Sequence, residues 1–173
     1  MRKERSGKTS FLVIAAAVFI TVALGWPGQA FTADWVYTHG HSGSVQSPGN
    51  VTGLLPMGWG LQFAVKPGVG TWVHYAVPTT TKSGTKQYAV RHLRLKFTTG
   101  SVDAYLRHIH VWDGNVRFVT LSDVNLSEVQ DIKIDLGQNW NVYRGLGVSL
   151  EFVAGVESMS HQVEIQAVGA QFK

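Results

Sequence analysis

The chain has 173 residues, no cysteine, and 15 basic against 11 acidic residues. Without thiols, a disulfide scaffold, thiol catalysis and thiolate metal sites are all excluded. Four of the basic residues and one of the acidic ones fall within residues 1–30, so the other 143 carry eleven against ten; a near-neutral domain of that size can build its own core and has no basic surplus to recommend it to nucleic acid.

Arg2, Lys3, Arg5 and Lys8 precede Phe11 to Leu24, fourteen residues without a charge, and Gly28 and Ala30 supply small residues where a signal peptidase cuts. Residues 1–30 are therefore expected to be a secretory signal peptide cleaved after Ala30. Residues 31–173 are expected to be one domain, secreted or periplasmic. Fourteen apolar residues are short of the ~20 that cross a bilayer, so membrane attachment would require the segment to be retained uncleaved.

A strand is predicted over Asp34 to Thr38, followed by a Gly, Ser, Pro and Asn-rich loop that begins at His39-Gly40-His41 and carries Trp59 between two glycines. Two histidines without a third ligand make a poor metal clip, so His39 and His41 are assigned to a solvated turn. Strands follow at Leu61 to Val65 and Thr71 to Val77; in the second, Val73, Tyr75 and Val77 share a face opposite Trp72 and His74. Pro78 ends it, and the polar stretch Thr79 to Lys86 reads as a mobile loop.

From Tyr88 to Leu121 the pattern is that of a three-stranded meander. Leu93, Leu95 and Phe97 alternate with His92, Arg94 and Lys96; Thr98 to Ser101 is the turn, with Gly100 free to take positive φ. Val102, Ala104 and Leu106 have one parity and Ile109 and Val111 the other, which predicts a bulge near Arg107-His108. Asp113-Gly114 between apolar runs predicts a tight type I′ hairpin. A short helical turn is expected in Ser122 to Gln130, then strands through Ile132, Ile134 and Leu136 (ended by Gly137), Leu146 to Phe152, and Val163 to Val168.

About 8–10 short strands without a convincing helix between them define an all-β chain, an antiparallel β-sandwich of jelly-roll-like form. Its expected core contains Leu93, Leu95, Phe97, Ile109, Val111, Ile132, Ile134, Val148, Leu150 and Phe152. The runs Thr71-Trp72-Val73-His74-Tyr75-Ala76-Val77-Pro78-Thr79, His110-Val111-Trp112-Asp113-Gly114 and Gly145-Leu146-Gly147-Val148-Ser149 resemble a family of small, functionally uncharacterised all-β proteins of microbes. That resemblance implies the fold and brings no activity or site.

No nucleophile elbow or phosphate loop survives inspection: Gly147 to Glu151 is a strand interior, and Gly145-Leu146-Gly147 opens no helix. A non-catalytic exported module is the expectation, with a carbohydrate or cell-surface component as partner and Trp59 and Trp140, both among Gly and Asn, as the candidate contact rings. The competing reading is that Trp35, Trp72, Trp112 and Trp140 are core or hairpin-pair residues, which is expected to hold for at least half of them. Two alternatives remain: a structural, self-assembling extracellular protein, and a metal-binding protein that holds zinc or a similar ion. For the metal, His108 and His110 lie two apart on a strand and leave the same face, where His92 or His74 from a neighbouring strand would supply a third imidazole. No cofactor is otherwise implied.

Overall fold

The structure is a computed structural model that describes residues 35–79 and 81–173; the expected signal peptide lies outside these residues. The strands are β1 (Trp35–His39), β2 (Ser44–Val45), β3 (Val51–Met57), β4 (Gly60–Val65), β5 (Gly70–Val77), β6 (Lys82–Ser83), β7 (Lys86–Gln87), β8 (Ala89–Thr99), β9 (Ala104–Asp113), β10 (Val116–Leu121), β11 (Val129–Asn141), β12 (Leu146–Ala154) and β13 (Gln162–Phe172). Eleven of them form two antiparallel sheets. One runs β11-β8-β13-β4-β3 with β1 also paired to β13, and the other runs β10-β9-β12-β5-β2. This is a jelly-roll-like β-sandwich.

The core is the sum of the two inward parities. Phe63 and Val65 of β4, Leu93, Leu95 and Phe97 of β8, and Val163, Ile165 and Val168 of β13 come from the six-stranded sheet. They meet Val73 and Tyr75 of β5, Leu106, Ile109 and Val111 of β9, and Val148, Leu150 and Phe152 of β12 from the five-stranded sheet. Of the expected core, Ile132 and Ile134 are the exceptions, only partly buried because β11 is an edge strand with one side open to water.

Several sequence-based expectations are corrected. The meander is not continuous: β8 pairs with β11 and β13, whereas β9 pairs with β10 and β12, so the Gly100 to Asp103 turn carries the chain from one sheet to the other. Gly100 is not in the left-handed region; what it provides is space, since a Cβ there would stand 2.3 Å from Ser160 Oγ. The Ser122 to Gln130 stretch is not helical: Asp123, Asn125 and Glu128 take left-handed backbone at φ of 54°, 47° and 61°, and Leu126 exchanges both backbone hydrogen bonds with Leu106. A helix there would forfeit that pairing and withdraw Leu126 from the core. The loop after His39 contains an additional hairpin, β3–β4, and the supposed mobile loop after Pro78 contains the small β6–β7 hairpin. Gly137, at φ 84°, does not end β11 but sits within a register irregularity between Asp135 and Trp140.

The predicted bulge is present. Glu151 stands opposite His108 and Phe152 opposite Leu106, so Arg107 is the extra residue, and the shift lets Leu106 and Ile109 both face inward. The Asp113-Gly114 hairpin also forms, displaced by one residue: Asp113 pairs with Val116, leaving Gly114 and Asn115 as the central pair. Gly114 alone has positive φ, at 59°, which is the type II′ pattern rather than I′.

Tyr75 ties the β1–β2 connection to the core. Its ring is fully buried and its hydroxyl donates to Gly40 O at 3.0 Å; burial pushes the phenol pKa well above its ordinary value, so it stays a neutral donor. Tyr75→Phe is expected to lower the unfolding free energy by about 1 kcal/mol, since the buried Gly40 carbonyl loses one of its two donors and keeps only the Gly43 N–H. A lower urea midpoint at unchanged slope would display it.

Candidate functional site

The bulge at Arg107 decides which side chains leave the five-stranded sheet on its outer face. After it, His108, His110 and Trp112 of β9 point outward together, as the two-residue spacing predicts. β5 contributes Trp72, His74 and Ala76, and β12 contributes Gly147, Ser149 and Glu151. Strand register sets three rows across the sheet. Ser44, His74, Ser149, His110 and Thr120 lie in one; Ala76, Gly147, Trp112 and Arg117 in the next; Trp72, Glu151 and His108 in the third.

Side chains then lean across the rows. The Trp72 and His110 rings sit 4.4 Å apart at 30° over β12, although the residues are on strands that do not pair with each other. His110 meets Trp112 edge-on at 6.1 Å, and the Arg117 guanidinium lies 5.7 Å from the Trp112 ring centre. The result is a run of planar groups, Trp72, His110, Trp112 and Arg117, bordered by polar side chains. His74 is hydrogen-bonded to Ser149 Oγ through Nδ1 at 2.8 Å and to Gln46 Oε1 through Nε2 at 3.0 Å. Glu151 accepts a bidentate pair from Arg107, at 3.0 and 2.9 Å.

Burial favours the neutral form of the His74 and His110 imidazoles. Burial lowers the pKa of His74 below the ordinary histidine value. For His110, burial acts first, followed by the positive charge of Arg117.

The four histidines proposed for a metal do not come together. His92 is on β8 in the other sheet, where Nδ1 is bonded to Gln171 Oε1 at 2.8 Å. His74 is separated from His110 by the whole width of β12. His108 Nδ1 already accepts the Asp123 N–H at 3.1 Å, and the Arg117 guanidinium stands 3.4–3.5 Å from both ring nitrogens of His110, a placement that opposes a second cation. Among the described residues no group of three or more His, Cys, Asp or Glu side chains is arranged to hold a metal ion.

The two tryptophans singled out from sequence have different fates. Trp59 is exposed at the tip of the β3–β4 hairpin. Trp140 is half-buried against Phe118, 5.2 Å between ring centres, and its indole N–H donates to Leu136 O at 3.2 Å, so it is a packing residue rather than an exposed ring. Trp72 and Trp112, expected as core or hairpin-pair rings, lie on the outer face of the five-stranded sheet. Parity was the available signal: Trp72 alternates with buried Val73 and Thr71, and Trp112 with Val111 and Asp113.

No protein-family model matches the chain, and no curated protein matches it. Among solved structures it is similar to the C-terminal CBM6 of LamC, a marine laminarinase from Zobellia galactanivorans, at 12% identity and a TM-score of 0.45, over 80% of this chain and 99% of that one. It is also similar to the xylan-binding module CBM15, at 13% identity and a TM-score of 0.45, over 81% of this chain and 97% of that one. A third similarity is to the CBM36-1 domain of a multidomain xylanase from the hindgut metagenome of Trinervitermes trinervoides, at 14% identity and a TM-score of 0.44, over 79% and 96%. At such identities no residue and no ligand is carried over to this chain.

Proposed function

We propose that the protein is an exported, non-catalytic saccharide-binding module whose ligand lies across the outer face of the five-stranded sheet. The observation that supports this is the contiguous run of Trp72, His110, Trp112 and Arg117 on one sheet face, bordered by His74, Ser149 and Gln46. A sugar presents apolar C–H faces and a rim of hydroxyls, and such a ligand is met by flat rings together with a few well-placed donors and acceptors. Ala76 and Gly147, with little or no side chain, leave low ground beside Trp112 for a ring to settle. Glu151 is held by Arg107 and serves as a fixed wall rather than a proton donor.

A glycan array followed by calorimetry on the best hit tests the reading. Trp72→Ala and Trp112→Ala are each expected to weaken binding by about tenfold or more, as buried aromatic anchors do, while Trp59→Ala leaves it unchanged. A blank array beside concentration-dependent assembly in light scattering would instead make the protein a structural, self-assembling one.

A further inference from the structure

The six-stranded sheet carries a second feature on its own outer face. The bulge at Gln166 in β13 sets Ala167 opposite Lys96, and Gly169 and Gln171 then face outward in turn. β1 pairs along the other side of β13, so Tyr37 stands next to Gly169 and His39 next to Ala167. Ala167 thus floors a trench between long side chains, while Gly169 makes room for the Tyr37 ring. Tyr37, Arg94, Lys96, Asp131 and Ala167 line it, around a volume of about 200 Å³.

The two walls differ chemically. On one side the Tyr37 ring lies directly over Gly169, where a Cβ would stand 2.5 Å from its ring carbons, and stacks on Trp35 at 5.9 Å and 23°. Tyr37 is nonetheless 44% exposed. On the other side Asp131 grips Arg94 through Nε at 2.8 Å and Nη2 at 3.2 Å and so fixes the direction of the guanidinium. Lys96 is exposed and makes no hydrogen bond or close ion pair among the described residues. Lys133, on the same face, has its ammonium 6.0 Å from the Trp35 ring centre. Arg94 and Asp131 pair with each other, so the surplus positive charge of the trench lining is that of Lys96.

We infer that this trench is a second ligand site, for the carboxylate-bearing sugar unit of an acidic polysaccharide. Tyr37 supplies the flat apolar surface, the Lys96 ammonium with its three donors takes the carboxylate, and Asp131 and the Arg94 fork meet ring hydroxyls. The volume is below the ~300–1,000 Å³ of a drug-sized site and suits one sugar unit with its neighbours running out along the sheet. The trench is on the opposite layer from Trp72, so it binds whether or not the five-stranded face does.

The probe is a galacturonate trisaccharide, titrated calorimetrically beside its methyl ester. Saturable binding of the acid form is expected, weakened about tenfold in the ester, in Lys96→Ala and in Tyr37→Ala, and weakened by added salt. Trp72→Ala is expected to leave it unchanged, and unchanged melting of the three variants shows that they are folded. No saturable binding of the acid form, equal binding of the ester, retention in both Lys96→Ala and Tyr37→Ala, or loss in Trp72→Ala would each overturn the assignment.

Discussion

Phe152→Ala is expected to lower the unfolding free energy by about 3–5 kcal/mol, the range for truncating a buried aromatic ring. Phe152 comes from the middle strand of the five-stranded sheet, is inaccessible to solvent, and meets two rings of the other sheet edge-on: Phe97 at 5.4 Å and Phe63 at 6.2 Å. Those contacts add to area burial, about 0.5–1.5 kcal/mol per pair, and join the layers directly. Since a domain of this size is stable by only about 5–15 kcal/mol, the variant loses at least about a fifth of its margin. Urea unfolding should show a reduced midpoint at unchanged slope. Ile132→Ala, at the half-buried edge, should lose clearly less; equal losses would mean that the layers are not held by this aromatic cluster.

The second large effect belongs to Asp113, the last residue of β9. Its carboxylate is buried and accepts the backbone N–H groups of Tyr143, Arg144 and Gly145, at 3.1, 2.6 and 3.1 Å, so it pins the β11–β12 connection to the β9–β10 hairpin. Burial opposes ionisation, but the three N–H donors and the Arg144 charge outweigh it and hold the pKa below the ordinary aspartate value. A carboxylate whose folded pKa is depressed stabilises the fold above its unfolded pKa of about 3.9, and that contribution disappears as pH falls from there through the folded value. Asp113→Ala is expected to cost about 2–4 kcal/mol at neutral pH by leaving three donors unpaired. The difference from the wild type should narrow below about pH 4. A difference that stays constant down to acid would show that the carboxylate's charge does not matter to the loop.

Asp113 shows how a local signal can be sound and its purpose hidden. From sequence it is half of a turn dipeptide, and the turn is there. Its carboxylate, however, is aimed at residues thirty positions away, and no spacing in the chain announces that. His161 and Asp103 are a similar case, bonded at 2.8 Å between the β8–β9 crossover and the β12–β13 loop, and neither carries a sequence signature. Trp72 and His110 stack across an intervening strand, so the candidate face could be anticipated only as two separate outward parities.

The all-β class, the parity of nearly every core residue, the bulge at Arg107 and the hairpin at Gly114 were legible in the order of residues alone. Each of these is local: alternation with period two, a break in that alternation, and a glycine where φ must be positive. Only the tertiary structure decided that β8 and β9 belong to different sheets, that Leu126 pairs with Leu106 instead of entering a helix, and that His92 is carried away from His108 and His110. Strand partners are chosen by which inward faces cover each other, a free energy of apolar burial summed over residues far apart in the chain, and an alternating strand fits equally well beside several others until that sum is made.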